Sequence, residues 1–156
     1  MRKSKYYIKN WKRWKASLYS LKETKRDLEN NIKAISYDSE MPGGNHKSIF
    51  EEYDFVLDEL EKYDKHINFY ETVINKLERN INVLLTNEQK QVVIIYANHP
   101  YYGDYAKREK DAIDNGFSKT AFYDNLNKAF DILDTVLELK DETLEEILKY
   151  GKNAEK

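Results

Sequence analysis

Residues 116 to 130 read Gly-Phe-Ser-Lys-Thr-Ala-Phe-Tyr-Asp-Asn-Leu-Asn-Lys-Ala-Phe, and this stretch decides the fold expected for the C-terminal half of the chain. A glycine directly after a helix supplies the left-handed conformation that lets the chain reverse, so Gly116 predicts a helix end. Ser118 is then a typical N-cap for the next helix, and Phe117 is expected to fill the angle between the two helices. The stretch therefore predicts two helices joined by a tight turn.

The helix predicted after Ser118 has one apolar and one polar face. Steps of three and four residues predict these buried positions: Phe122, Leu126, Ala129, Phe130 and Leu133. The opposite face presents Lys119, Thr120, Tyr123, Asp124, Asn127 and Lys128. Hydroxyl and amide groups match the donors and acceptors of base edges in the major groove, whereas lysines suit phosphates, and a helix N-terminus at Ser118 also attracts a phosphate. The sequence therefore predicts a helix that contacts DNA through Ser118 and these six residues.

Two further helices are predicted before the turn. Thr86 and Gln89 have the spacing of a capping box, and the helix that they open should bury Val92, Val93, Ile95 and Tyr96 before Asn98-His99-Pro100 stops it. The next helix is expected from Tyr105 to Asn115, with Ala106, Ala112 and Ile113 facing inward. On its outer side the residues expected to contact phosphates are Lys107, Arg108 and Lys110. Residues 86–139 are thus predicted to form a helix-turn-helix lobe that binds DNA.

The run Gly116-Phe117-Ser118-Lys119-Thr120-Ala121-Phe122-Tyr123, with Lys128-Ala129-Phe130 and Leu133 beyond it, resembles the helix-turn-helix of sigma-70 region 4. More particularly, it resembles small phage transcriptional activators of the ArpU and RinA type. The resemblance implies activation of late phage or mobile-element genes by promoter binding. The stretch from His99 to Lys110 departs from the pattern, because a compact region 4 has a shorter connection between its helices.

The N-terminal half, residues 1–85, is predicted to form an antiparallel coiled-coil hairpin. A heptad-like seam runs through Tyr7, Trp11, Trp14, Leu18, Leu21, Leu28 and Ile32, which predicts a helix over about 6–36 and places both tryptophans in the core. The segment Met41-Pro42-Gly43-Gly44-Asn45 predicts a loop over 37–47. A capping box at Ser48 and Glu51 is expected to open a second helix over 48–85, about 55 Å long. The seam fits either one hairpin or a homodimer.

Seven of the first fifteen residues are Lys or Arg and none is acidic, and the hairpin would bring this basic end close to the DNA-binding lobe. An alternative explanation of the same charge asymmetry is that the two helices of the hairpin simply have solvated faces of opposite charge. Residues 140–156 are expected to hold a short helix and a tail, with Leu144, Ile147 and Leu148 facing inward. This helix is expected either to serve only as a cover for the lobe or to contact RNA polymerase as well, through its acidic outer face.

Composition excludes several classes of protein. The chain has no cysteine, which fits a reducing cytoplasm, and the resemblance to phage activators implies that of a bacterial host cell. We expect no export signal, and no apolar run reaches membrane-spanning length. His46, His66 and His99 are not spaced as metal ligands, so ordinary surface histidines are expected. No phosphate-binding glycine loop, paired catalytic carboxylates or nucleophile motif is present. We therefore expect no cofactor, no metal and no enzymatic activity.

These patterns predict an all-α, sequence-specific DNA-binding regulator whose partner is double-stranded DNA, and the resemblance implies that it activates transcription. The alternative is a non-catalytic interaction module that uses the coiled coil to bind RNA polymerase or another phage protein. The modest net charge of −2 favours that alternative.

Overall fold

The computed structural model describes residues 2–38 and 46–137, with the exception of the side chains of residues 34–38, 46–50, 52 and 53. The described residues form five α-helices and no strand, which confirms the predicted all-α class. The helices are α1 (Lys3–Asp38), α2 (His46–Leu84), α3 (Asn87–Asn98), α4 (Tyr105–Asp114) and α5 (Lys119–Leu137), and a 3₁₀ turn (Tyr102–Asp104) precedes α4.

Some helix boundaries differ from those predicted. α1 begins at Lys3 rather than near residue 6. α2 begins at His46, so Ser48 lies inside the helix and is not its N-cap, because helical structure starts directly after the Gly43-Gly44-Asn45 sequence. The loop predicted over 37–47 is too long at both ends, because residues 37 and 38 belong to α1 and residues 46 and 47 to α2. Its residues 39–45, and the short helix predicted within 140–156, lie outside the described residues.

The chain divides into two compact units, and the division does not fall at residue 85. The first unit combines Met1–Trp14 with the chain from Val73 onward, and the second unit is Lys15–Thr72. The division falls within α1, after Trp14, and within α2, after Thr72, so each of these helices contributes to both units.

Within the second unit, α1 and α2 are joined by ion pairs. Lys22 Nζ lies 2.8 Å from Glu71 Oε1, and Lys25 Nζ lies 2.5 Å from Asp64 Oδ1. Since higher numbers on α1 pair with lower numbers on α2, these segments run antiparallel. The hydrogen bond to Asp64 is the largest effect on the ammonium of Lys25 and raises its pKa. Val56 and Ile67 are buried here.

The first unit contains the larger apolar core. α3 packs against both α4 and α5, and its capping box is formed as predicted: Gln89 N donates to Thr86 Oγ1 at 3.3 Å, and Thr86 N donates to Gln89 Oε1 at 3.0 Å. The four predicted α3 positions are all buried, as is Ala97. α1 adds Tyr7, whose ring meets that of Trp14 edge-on at 5.6 Å between centroids. Trp14 is buried as predicted, whereas Trp11 is half-buried and donates from Nε1 to Glu78 Oε1 at 3.1 Å.

No helix in the described ranges is both long and apolar enough to cross a membrane.

Candidate nucleic-acid interface

The turn between α4 and α5 has the geometry that its sequence predicts. Gly116 has φ of +87°, the left-handed value that a side chain disfavours. Gly116 N donates to Ile113 O at 3.0 Å, and Phe117 N donates to Ala112 O at 2.9 Å, which is the paired pattern of a Schellman motif. Ser118 Oγ accepts from Ala121 N at 3.1 Å and so caps α5. These bonds fix the direction in which α5 leaves the turn.

The two faces of α5 are also as predicted. All five predicted inner positions, from Phe122 to Leu133, are buried. The exposed residues on the outer side include Lys119, Thr120, Asp124, Asn127 and Lys128. Tyr123 differs from these five because it is half-buried. α5 therefore presents hydroxyl, amide, carboxylate and ammonium groups on one side of a helix that is anchored by its other side.

Glu109 of α4 binds two of the candidate DNA-contacting residues. Tyr123 Oη donates to Glu109 Oε1 at 3.1 Å, and Lys119 Nζ lies 3.6 Å from the same oxygen. The bond orients Tyr123 across the gap between α4 and α5. Lys119 remains largely exposed, so its pairing with Glu109 is a weak surface ion pair.

The phosphate contact expected of Arg108 is wrong, because this side chain is buried and only 7% exposed. Its Nη1 donates to His99 O at 2.6 Å and to Tyr101 O at 3.4 Å, and its guanidinium carbon lies 5.2 Å from the centre of the Tyr96 ring. α3 ends at Asn98, and the carbonyls after a helix end need donors. Arg108 donates to two such carbonyls and thereby holds the long connection from His99 to Asp104 against α4.

The rest of α4 is rotated relative to the prediction. Ala112 is buried, but Ala106 is exposed and Ile113 is 61% exposed, so two of the three expected inward positions are wrong. Arg108 and Ala112, which are four residues apart, face inward instead. Lys107 and Lys110 are exposed, as the prediction of phosphate contacts requires.

The start of α1 is bound to α5, a contact that places basic residues in the same unit as α4 and α5. Ser4 is fully buried; its N donates to Asp134 Oδ1 at 2.9 Å and its Oγ donates to Phe130 O at 3.2 Å. Arg2 pairs with both Asp131 and Asp134 of α5. Lys9 Nζ lies 5.5 Å from the centre of the Tyr101 ring, at cation–π distance.

This contact changes the charge of the candidate interface. α4 and α5 together hold five basic and six acidic residues, which by itself is a poor surface for DNA. Residues 2–14 of α1 hold six basic residues and no acid. The excess positive charge of the described part of this unit therefore comes from residues 2–14, and this basic end lies close to α5, as the predicted hairpin requires.

His99 Nε2 lies 3.5 Å from Asp111 Oδ2, and this pair belongs to the packing of the connection against α4. Over the described part of the chain, no three His, Cys, Asp or Glu side chains are grouped so that they could hold a metal ion.

Comparisons with protein-family models, with curated proteins and with solved structures find no match to this chain.

Proposed function

We propose that this protein binds double-stranded DNA in a sequence-specific manner and regulates transcription, with α5 as the helix that reads the major groove. The observation that carries the proposal is the pair of faces on α5. One face is buried against α3, and the other begins at the Ser118 cap and continues as exposed polar residues. A capped, polar-faced helix after a tight turn is the usual means of placing side chains against base edges.

The exposed residues divide into two groups by chemistry. Lys107, Lys110 and Lys128 are cations that suit phosphates and position the protein without reading sequence. Thr120, Asp124 and Asn127 carry groups that can donate to or accept from bases. Tyr123 already donates to Glu109, so its part in the interface is to shape the surface between α4 and α5.

The basic start of α1 supports the same proposal. DNA affinity depends on the number of phosphates that Lys and Arg neutralise, and α4 with α5 offers few cations in excess of acids. Because Ser4 and Arg2 fix α1 to α5, the six basic residues of 2–14 belong to the same compact unit as the proposed reading helix. Apart from Arg2, which pairs with Asp131 and Asp134, they are the natural source of additional phosphate contacts.

The biological setting follows from the sequence resemblance to phage activators of the ArpU and RinA type. We place the protein in the cytoplasm of a bacterial host, where it would activate late genes of a phage or mobile element and contact RNA polymerase at the promoter. Its charge on α1 and its polar reading helix are consistent with promoter binding.

The test is selection of bound duplexes from a random-sequence library, followed by gel-shift measurement of affinity at two salt concentrations. We expect an enriched sequence that binds at least about a thousandfold more tightly than unrelated duplex. Asn127→Ala should change the preferred bases, whereas Lys128→Ala should weaken binding to all duplexes alike. Equal losses on every sequence for both variants would contradict the assigned roles.

A second candidate function is a non-catalytic interaction module that binds another protein through α1 and α2. The observation in its favour is the exposure of large apolar side chains in the second unit, where Tyr19 is 69% and Phe55 is 64% exposed. The same gel shift separates the two candidates, because absence of binding to any duplex at low salt would favour the interaction module.

A further inference from the structure

A cavity of about 280 Å³ lies within the first unit, where the start of α1, the connection after α3, and α4 and α5 meet. Its walls include Lys5 and Lys9 from α1, Tyr96 from α3, Tyr102 from the connection and Arg108 from α4. The volume is at the low end for small-molecule sites, so the space fits a compound of one ring rather than a large cofactor.

The cavity carries positive charge that no acid offsets. None of the residues that line it is acidic. Among the described residues, no carboxylate comes within ion-pair distance of Lys5, Lys9 or Arg108. Arg108 is nine-tenths buried, and the hydrogen bonds of its Nη1 go to backbone carbonyls rather than to an acid. A buried charge is costly unless an opposite charge compensates it, so this site favours an anion.

The remaining walls are aromatic and apolar. The rings of Tyr96 and Tyr102 border the space, and Phe130 meets Tyr96 edge-on at 5.4 Å between ring centroids. Asn127 of α5 adds an amide that can donate or accept. Apolar and aromatic walls with a few polar groups are typical of small-molecule sites, and aromatic side chains pair favourably with the ring of a ligand.

We infer that this cavity binds a small planar organic anion, with its carboxylate or phosphate beside Lys5, Lys9 and Arg108 and its ring against the tyrosines. This inference goes beyond DNA binding. Binding of the anion is measured without DNA, so the inference and the proposed DNA binding can each fail independently of the other. Arg108 then has two roles: it holds the connection through Nη1 and supplies buried positive charge to the site.

The test is a ligand-observed NMR titration of the full chain with benzoate and with phenyl phosphate. Acetate carries the charge without the ring, and benzyl alcohol carries the ring without the charge. We expect saturable binding of at least one aromatic anion, with both controls binding at least about tenfold more weakly. Saturable binding of neither aromatic anion would overturn the inference, as would benzyl alcohol that binds as tightly as benzoate.

Paired variants locate the binding. The double variant Lys5→Gln with Lys9→Gln removes two charges from the cavity and should weaken binding of the aromatic anion about fivefold to tenfold. The matched control is Lys12→Gln with Arg13→Gln, which removes two exposed charges from the same helix at positions that do not line the cavity. This control should leave binding unchanged, and circular dichroism should show equal helicity in both. Equal effects of the two double variants would overturn the site.

Discussion

Gly116 is the residue that sets the path of the chain between α4 and α5. Its φ of +87° is open to glycine and costs an L-residue about 1–2 kcal/mol. A methyl group added there would meet no atom within 4 Å, so any penalty is one of backbone conformation alone. The tight turn on which the proposed DNA-binding geometry depends therefore rests on one backbone angle.

Gly116→Ala is expected to lower the free energy of unfolding by about 1–2 kcal/mol in a urea titration. Gly103→Ala is the matched control, since an added methyl there also meets nothing within 4 Å but Gly103 has no positive φ. Losses of equal size in the two variants would show that the left-handed conformation is not required.

Arg108 holds the connection between α3 and α4 through the carbonyls of His99 and Tyr101. We expect Arg108→Met to speed amide exchange at Asp104, whose N donates to Tyr101 O at 3.0 Å, by about fivefold to thirtyfold. Lys107→Met changes the exposed neighbour and should leave this exchange rate as it is. Exchange at Asp104 that is the same in all three proteins would refute the role.

Individual side chains differ in how far their burial could be predicted from the sequence. Val92 and Phe122 lie at clear helical spacing beside strong capping and turn signals, so their burial was predictable from neighbours along the chain. Arg108 has no such local signal, because its burial depends on carbonyls that lie seven and nine residues away. A connection that ends a helix at Asn98-His99-Pro100 leaves carbonyls in need of donors, and that was the one available hint.

At the scale of helices, the N-terminus of α5 combines a structural and a proposed functional role. Ser118 Oγ accepts from Ala121 N, and the first amides of α5 form the place where a phosphate would bind. An aspartate at this position would also cap the helix well, and its charge interacts favourably with the positive end of the helix dipole, but the same charge repels phosphate.

Ser118→Asp should therefore keep the free energy of unfolding within about 0.5 kcal/mol and weaken duplex binding severalfold at low salt. Thr120→Asp adds the same charge at an exposed position two residues further along and serves as the comparison for a negative charge that is not at the cap. If Ser118→Asp binds duplex as well as the unmodified protein, no phosphate sits at this helix start.

α3 contributes a pH dependence through Tyr96. Burial raises the pKa of its phenol above the usual 10.0, and the nearby Arg108 partly opposes that shift. Because the folded value exceeds the unfolded one, the stability linked to Tyr96 is fully present below about pH 10 and is lost as the pH rises through the folded value. Tyr96→Phe should make the fall in stability above pH 10 shallower, as measured by urea unfolding at several alkaline pH values.

The pairing of whole helices was less predictable than their existence. The burial of Ile74, Leu77 and Ile81 on α2 was predictable, because these residues repeat at helical spacing. The burial of Ser4 and Ile8 was not predicted, since it depends on the docking of α1 against α5 about 130 residues away along the chain. Periodicity identifies the apolar face of a helix, but it does not say which distant helix covers that face.

At the scale of the whole molecule, the proposed function joins two parts of the sequence that lie far apart. The reading helix comes from the C-terminal half, whereas most of the excess positive charge comes from residues 2–14. Ser4 and Arg2 link these parts through Phe130, Asp131 and Asp134. A protein of this kind should bind DNA through both, with a strong dependence on salt.

The proposed binding of DNA is tested most directly by the salt dependence of affinity for the selected duplex. We expect the logarithm of the binding constant to fall steeply with that of the salt concentration, and Lys128→Ala to reduce the slope by about 1. Lys65→Ala, an exposed lysine of the second unit, should leave the slope unchanged. No binding at low salt, or a slope that Lys128→Ala and Lys65→Ala alter equally, would contradict DNA binding through α5.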